Sequence, residues 1–423
     1  MTGWWTVAAT GLLAIVIYFA FFWRINWVRD LRGRAGSNKL GAYVVPKNRK
    51  IGKLPPVYPN GWFGLMESSQ LKRGQVRHVA ALGENFAVFR SEKGVVSILD
   101  AYCPHLGANM GEGGKVRGDC LECPFHGWLF RGEDGRCQSI PYAEKVPEIA
   151  KTRAWDSCEV NQLIFVWYHA ESAEPEWRPE PLEEISNGNW RYQGRNEFLV
   201  NSHIQEIPEN GADWAHLSAV HGPAMFFSET LPWLARHSWT AAAWAPRETS
   251  APETAVKTTQ SNETSTLSQN GTGNEPKKYI EKNDKHRATM RLRHSLVLLE
   301  KISIIQLNVK AEQIGPGYVE LLVDTALGPM CILQTVTPVE PLLQRVTHLM
   351  FAPVLLAPYA SLVFLGESIM FERDVAVWNH KKFERRPLLV REDRTILAYR
   401  RWYSQFYSPR SPTYHSATRS LRW

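Results

Sequence analysis

Cysteine is scarce in this chain, with six residues in 423. A small secreted domain that depends on disulfides carries many more cysteines for its length, at short and regular spacings. Here the six are spread from Cys103 to Cys331 and form no such framework. The composition therefore argues against a disulfide scaffold and favours a reducing compartment.

The chain also lacks the basic segments with interleaved aromatics that are typical of nucleic-acid-binding proteins, and it has no internal repeat. Its formal net charge is +7, and the excess is not concentrated in such a segment. We therefore expect no nucleic-acid partner. The excess suits a membrane surface and an acidic protein partner instead. A length of 423 residues is enough for two domains with separate cores.

Charge is absent from residues 2–23, and residues 12–22 are densely apolar. About 20 apolar residues in a helix span the hydrocarbon core of a bilayer. Tryptophans, which favour membrane interfaces, lie at both ends of the run: Trp4, Trp5, Trp23 and Trp27. The run has no basic segment before it and no small-residue cleavage site after it, which argues against a signal peptide. The sequence predicts a transmembrane anchor over residues 1–24.

Basic residues follow this run closely, and they set the expected orientation. They are Arg24, Arg29, Arg32, Arg34, Lys39, Lys47, Arg49 and Lys50. Positive charge next to a membrane span stays on the cytoplasmic side. We therefore expect a single-pass protein of the endoplasmic reticulum membrane, with the rest of the chain in the cytosol.

Two short segments, separated by seventeen residues, carry a metal-cluster pattern: Cys103-Pro-His105 and Cys123-Pro-Phe-His126. Two thiolates and two imidazoles are the ligand set of a Rieske [2Fe–2S] cluster, in which one iron takes the sulfurs and the other takes the histidine nitrogens. Because neutral imidazoles replace charged thiolates on one iron, the potential rises and the cluster accepts electrons easily. The pattern predicts a one-electron relay.

A zinc site is the main alternative for this pattern, because two cysteines and two histidines also bind zinc. Gly107 and Gly127 follow the two pairs closely. Small residues there let backbone N–H groups approach the cluster sulfurs, which a single zinc ion would not require. We therefore favour the Rieske cluster, with Cys120 as a spare thiol.

A second metal motif lies between Asn210 and Pro223, with Asp213, His216 and His221 as its polar residues. Two histidines and a carboxylate on one face of Fe(II) leave open positions for O2. Asp213 and His216 share a helix face, whereas His221 is well off it unless the helix ends near Gly222. A capped amphipathic helix with two partly buried histidines fits the same stretch. A neighbouring electron relay favours the metal site, since the relay needs an acceptor.

The third ligand must come from elsewhere, and Asp374 is the best candidate. It lies in a segment whose apolar residues recur at helical spacing. Glu372 is the rival and Glu367 a weaker one. A solvent-facing Glu-Arg-Asp run fits the same residues.

The remaining pattern predicts an α+β fold. Short β-strand patterns, including a hairpin of residues 86–89 with 95–99, indicate a small all-β Rieske domain. Later strand patterns indicate a helix-grip-like antiparallel sheet around a long C-terminal helix, and they lie at residues 291–299, 302–307, 318–324 and 326–338. The predicted division is an anchor over residues 1–24, a linker over 25–60, the Rieske domain over 61–172 and a catalytic mononuclear iron domain over 173–423. Residues 247–284 are rich in Thr, Ser, Asn, Glu and Lys and predict a disordered surface insertion.

With these motifs in place, the chain resembles the Rieske-type oxygenases, and more closely the Neverland family of cholesterol 7-desaturases. It is also similar to the 3-ketosteroid 9α-hydroxylase oxygenase component. The resemblance includes Tyr58–Trp62, Gln313–Gly317 and Arg401–Tyr403 besides the metal motifs. It implies Cys103, His105, Cys123 and His126 as cluster ligands, and His216, His221 and Asp374 as ligands of a mononuclear Fe(II). It implies that Asp213 bridges the iron to a Rieske histidine of a neighbouring subunit, and that Asn210 lies near the iron.

The resemblance further implies conversion of cholesterol to 7-dehydrocholesterol for steroid hormone synthesis. O2 and electrons from NAD(P)H, passed through a reductase or ferredoxin, would be consumed, and a homotrimer is expected. A Rieske hydroxylase of another sterol or hydrophobic substrate is the alternative, and a membrane-tethered electron carrier is a further one. Seven other histidines receive no role and are expected on the surface or in packed positions: His203, His237, His286, His294, His348, His380 and His415.

Overall fold

The computed structural model describes residues 2–30, 49–222, 234–247 and 284–420. Within these residues the chain is an α+β protein with seven helices and nineteen strands. The helices are α1 (Thr2–Phe21), α2 (Glu183–Ser186), α3 (Glu206–Glu209), α4 (Ala215–His221), α5 (Ala357–Trp378), α6 (Arg394–Tyr403) and α7 (Tyr414–Ser420). The predicted fold class is confirmed in its sheets and its long C-terminal helix. Of the predicted insertion over residues 247–284, residues 248–283 lie outside the described part.

The first half of the described chain forms three small sheets. Their strands are β2 (Gly61–Glu67), β3 (Val76–Ala81), β4 (Glu84–Arg90), β5 (Val96–Asp100), β6 (Lys115–Arg117), β7 (Cys120–Glu122), β8 (Leu129–Arg131), β9 (Cys137–Ser139), β10 (Ala154–Trp155), β11 (Ser157–Val160) and β12 (Leu163–Tyr168). The strand orders are β10-β5-β4-β3, β11-β12-β2 and β6-β7-β8-β9, and every pairing is antiparallel. This arrangement includes the predicted hairpin, β4 with β5.

The second half, together with one strand near the start of the chain, forms one eight-stranded sheet. Its strands are β1 (Ile25–Asp30), β13 (Arg191–Val200), β14 (Ala235–Pro246), β15 (Arg287–Leu298), β16 (Ile302–Ile314), β17 (Tyr318–Thr325), β18 (Gly328–Glu340) and β19 (Leu343–Ala352). The order is β1-β13-β19-β18-β17-β16-β15-β14. All its pairings are antiparallel except that of β1 with β13. Strands β15 to β18 lie where the sequence predicted them.

The start of the predicted linker is a strand instead. Residues 25–30 form β1 and pair in parallel with β13, from Ile25 opposite Gly194 onward. Two side chains of β1 then reach the long helix, because Trp27 Nε1 and Arg29 Nε donate hydrogen bonds to Glu372 at 2.9 and 3.1 Å. A six-residue run beside a linker gives no pairing signal of its own, so the sequence did not reveal it.

The long helix α5 packs on this sheet through one face. The helix contacts β13 and β19. Its buried residues recur three or four apart: Ala357, Ala360, Phe364, Ser368, Phe371, Val375 and Trp378. Within the described ranges, the helix from Val354 to Trp378 is long and apolar enough to cross a membrane. Since its buried face covers the sheet, we interpret it as the core helix that the sequence predicted.

The small sheets and the large sheet meet at β2 and β18. A Cβ on Gly64 of β2 would lie 2.7 Å from Thr335 Cγ2 of β18, which is closer than atoms can pack. The Gly64 carbonyl accepts a hydrogen bond from Thr337 Oγ1 at 2.6 Å. The absence of a side chain at Gly64 therefore allows the two halves to pack directly.

Candidate active site

The two Cys/His segments form matching turns at the tips of the small sheets. In the first, Cys103 N–H donates to the Ala108 carbonyl and Gly107 N–H donates back to Cys103, both at 2.9 Å. The second repeats this pattern from Cys123 N–H to Trp128, at 2.8 Å, and from Gly127 N–H to Cys123, at 3.1 Å. Both glycines have left-handed φ values, 74° and 72°, which side chains strain. The glycines thus permit two equivalent loops that face each other.

The side chains of these loops converge. Both thiols are buried, and the rings of His105 and His126 lie 4.7 Å apart between centroids. Burial and, less strongly, the neighbouring Cys123 thiol raise the pKa of the Cys103 thiol to about 11. A bound cation would favour the thiolate instead.

A free ring nitrogen completes the case that a [2Fe–2S] cluster fits this site. The Nδ1 atom of His105 is buried and has no hydrogen-bond partner in the described part of the chain. A bond to iron would satisfy it. Cys120 lies apart, because its Sγ donates to Gln138 Oε1 at 3.0 Å. Two thiols and two imidazoles are therefore the donor set that the loops present.

The second candidate centre joins helix α4 to helix α5. His216, His221 and Asp374 each offer one ligand atom, and these atoms all lie within 4.8 Å of one another. His221 Nε2 is 3.2 Å from Asp374 Oδ1. Helix α4 ends at His221, with Gly222 as its C-cap, as the sequence suggested. The short helix thus presents both histidines to one carboxylate on its neighbour.

Asp213 organises the first histidine from the start of α4. Its carboxylate accepts a hydrogen bond from the His216 backbone N–H at 3.3 Å. Its carbonyl accepts a short hydrogen bond from His216 Nδ1. The proton is thereby held at Nδ1, and Nε2 is left free to accept a metal ion. Among the described residues no hydrogen bond joins Asp213 to His105 or His126 of the same chain.

The rival acidic residues on α5 are engaged elsewhere. Glu372 accepts the hydrogen bonds from β1. Glu367 Oε2 accepts from Asn196 Nδ2 at 2.8 Å, and its other oxygen lies 3.0 Å from His348 Nδ1. Burial and, less strongly, the nearby Asp374 raise the pKa of Glu367 to about 8. Of the three acids, Asp374 is the one that faces the two histidines.

A largely apolar cavity adjoins this centre, between the large sheet and helices α4 and α5. Its volume is about 470 Å³, which lies in the range of small-molecule sites. His216, His221, Asp374 and Asn210 line it together with many aliphatic and aromatic side chains. Asn210, His216, His221 and Asp374 therefore border one cavity, whereas the predicted bridging residue Asp213 is not among the residues that line it.

Sequence reasoning missed two residues of this cavity, His237 and His294, which received no role. Both line it, and His237 Nδ1 lies 2.7 Å from His294 Nε2. Strand alternation could have placed His237 and Trp239 on one face, since they are two apart on one strand. The position of His294 next to them depends on the pairing of β14 with β15, which the sequence alone does not reveal.

Two family models match the chain. Residues 61–150 match the Rieske [2Fe-2S] domain, and residues 166–407 match the 3-ketosteroid 9alpha-hydroxylase C-terminal domain. The first covers the Cys/His loops. The second covers the cavity and all three residues of the second centre.

Relatives match over nearly the whole length. The chain is 41% identical to cholesterol 7-desaturase nvd of Drosophila melanogaster, across 99% of this chain and 94% of that protein. It is 28% identical to a probable 3-ketosteroid-9-alpha-monooxygenase, oxygenase component, of Rhodococcus rhodochrous, across 84% and 82%. A solved structure of dicamba monooxygenase bound to 3,6 dichlorosalicylic acid has the same fold, with a TM-score of 0.58 at 14% identity over 83% of this chain and 98% of that one.

Proposed function

Because this chain belongs to the cholesterol 7-desaturase family of Rieske oxygenases, we propose that it converts cholesterol to 7-dehydrocholesterol. The observation that carries the proposal is the combination of two redox-metal donor sets with one large apolar cavity. The identity to cholesterol 7-desaturases over nearly the full chain supports the choice of substrate.

The residues have distinct parts in this reaction. Cys103, Cys123, His105 and His126 hold the [2Fe–2S] cluster, and His216, His221 and Asp374 hold a mononuclear Fe(II). The cluster would supply electrons one at a time, and the iron would supply O2 activation. Asn210 lies in the cavity wall near the iron ligands.

The protein's own contribution is orientation and exclusion of water. The Asp213 carbonyl keeps the His216 proton on Nδ1, so that Nε2 stays available to the metal. The apolar cavity wall binds a fused-ring hydrocarbon through buried area and leaves little room for water next to its C–H bonds. The pose of the substrate then decides which two hydrogens are removed.

We propose a homotrimer, because the two centres lie in different parts of one chain. Within one chain the Cys/His loops pack in a core of their own, which contains none of the residues of α4 or α5. Tyr102, Leu106 and Phe125 next to the cluster ligands are all more than half exposed. We propose that this apolar rim meets the neighbouring copy, and that its Asp213 carboxylate receives a Rieske histidine there. Head-to-tail contacts of this kind close into a ring.

Membrane anchoring rests on helix α1. It has 20 residues and no charge, and at 1.5 Å per residue it is about 30 Å long. Leu12, Leu13 and Ile15 are each more than half exposed in the isolated chain. A bilayer would cover them. We propose a single span in the endoplasmic reticulum membrane with the catalytic part in the cytosol, where an NAD(P)H-dependent reductase or a ferredoxin is the electron donor.

Product identification tests the proposed function. The full chain would be expressed with a reductase, supplied with cholesterol, and the sterols analysed by mass spectrometry. We expect a product that has lost two hydrogens. Recovery of unchanged cholesterol from protein with cluster and iron loaded would refute the substrate. A product that has gained one oxygen would favour hydroxylation, the second candidate, which the match to the 3-ketosteroid 9alpha-hydroxylase domain supports.

A further inference from the structure

A small polar group interrupts the apolar sheet wall of the cavity. His237 and Trp239 lie on one face of β14, and His294 lies opposite Trp239 on β15. All three line the cavity. The rings form one cluster, with 4.9 Å between the centroids of the two histidines and 4.4 Å between those of Trp239 and His294. Their alternation neighbours on the same wall, Ala235, Leu292 and Leu296, are apolar.

The outer polar atoms of this cluster have no partner. His237 Nε2, His294 Nδ1 and Trp239 Nε1 are all buried, and none makes a hydrogen bond to another described residue. His294 as a whole is 5% exposed. Buried polar groups in folded proteins are nearly always hydrogen-bonded, and an unsatisfied one destabilises the fold. Three such atoms beside a cavity point to a partner that occupies the cavity.

The chemistry of the pair selects a hydroxyl as that partner. The inner nitrogens share one proton, so one outer nitrogen is always a donor and the other an acceptor, and the two roles exchange with the tautomer. Trp239 adds a second donor. A hydroxyl both donates and accepts, so it matches either tautomer, whereas a ketone can only accept.

An ionic partner fits less well. Burial lowers the pKa of His237 to about 4 and that of His294 to about 3, so both rings are neutral at physiological pH. A neutral pair offers no charge to a carboxylate or a phosphate. The apolar surroundings disfavour such ligands further.

We propose that His237, His294 and Trp239 form the subsite that binds the single hydroxyl of the sterol, an inference that rests on the proposed function. The His237 backbone N–H donates to the Gly222 carbonyl at 2.8 Å, next to the metal-ligating His221. The hydroxyl-bearing ring therefore lies beside the metal centre, and the rest of the molecule extends along the apolar wall. Carbons 7 and 8 belong to the ring next to that one, which brings them close to the iron.

Glu367 is one competing polar group of the cavity, which Gln313 and Gln334 also line. Both of its oxygens already have neighbours, Asn196 and His348, so it does not need a ligand partner. It serves as the contrasting position in the experiment.

Equilibrium binding of a matched alcohol and hydrocarbon tests the subsite. Cholesterol and cholest-5-ene, which differ only in the hydroxyl, would be presented in the same detergent micelles to the full chain loaded with cluster and iron. We expect wild type to bind cholesterol ~10-fold more tightly, the effect of one buried hydrogen bond. In His294→Phe this ratio falls to about one, because cholesterol binding weakens while cholest-5-ene binding is kept. Trp239→Phe lowers the ratio partly.

Two control variants separate a polar subsite from general packing. Leu296→Met changes the same wall without removing a polar atom, and Glu367→Gln changes a different polar group of the cavity. Both variants should keep the wild-type ratio. Three results would each overturn the subsite. His294→Phe could weaken the binding of both ligands equally, or the wild-type ratio could be near one. In the third, Glu367→Gln would lose the ratio while the other variants keep it.

Binding does not depend on turnover, so the two proposals fail separately. If the ratio behaves as expected but no desaturated product forms, the proposed reaction is wrong and the subsite stands. If the product forms and the ratio does not respond to His294→Phe, the subsite is wrong and the reaction stands. A wild type that holds neither ligand refutes both.

Discussion

Replacing Asp374 by asparagine should remove the mononuclear iron and leave the cluster intact. Asp374 Oδ1 lies 3.2 Å from His221 Nε2, and Asp374 is the acid on α5 that faces the two histidines. Asparagine keeps the size of the side chain but removes its charge. Two neutral imidazoles then remain, which bind Fe(II) far more weakly than a site with a carboxylate.

The size of the effect has a lower limit. Loss of a residue that only supports a metal ligand typically costs 10- to 100-fold in affinity. Loss of a direct ligand should cost at least ~100-fold, or about 3 kcal/mol of binding free energy. Since the cluster holds two irons and the second centre one, iron per chain should fall from about three to about two after desalting.

Metal analysis and electron paramagnetic resonance of the reduced protein measure this change. The matched control is Glu372→Gln, two residues away on the same helix, which loses its charge but can still accept the hydrogen bond from Trp27. It should retain all the iron. The reduced-cluster signal should be the same in both variants. Retention of the third iron in Asp374→Asn, or its loss in Glu372→Gln instead, would refute the ligand assignment.

Three further predictions concern the cluster, the contact between the two halves, and pH. Cys123→Ser should abolish the reduced-cluster spectrum. Cys120→Ser should keep it, because the Cys120 thiol donates a hydrogen bond to the Gln138 amide instead. Loss of the spectrum in Cys120→Ser would make Cys120 a ligand. Gly64→Ala should destabilise the protein by ~1–3 kcal/mol, because the new Cβ would lie 2.7 Å from Thr335 Cγ2. Thermal unfolding should show a lower Tm. An unchanged Tm would contradict the close packing. Burial raises the pKa of Glu320 to about 7 from 4.5, so its folded form favours the protonated acid. Stability should therefore fall as pH rises from 4.5 to 7, by at most ~3 kcal/mol, and then level off. Glu320→Gln should remove this fall in a pH series of Tm values, and an unaltered pH profile would exclude Glu320 as its source.

The local patterns of the sequence determined much of this protein. The Cys103 and Cys123 loops were recognisable because cluster ligands come as short pairs next to glycines that the turns require. Strands β15 to β18 were recognisable from their apolar runs and turns. The helical stripe around Asp374 was visible for the same reason: each signal lies within a few residues of chain.

Only the tertiary structure decided which distant residues meet. Three acids on α5 were open as the third ligand, and the packing of α4 against α5 brings Asp374 to His221 while β1 takes Glu372. The pairing of β14 with β15 places His294 beside His237, although fifty-six residues separate them in the chain. Such contacts depend on the order and register of strands and on the faces that helices bury. These are set by burial over the whole core, a property that no short stretch of sequence contains.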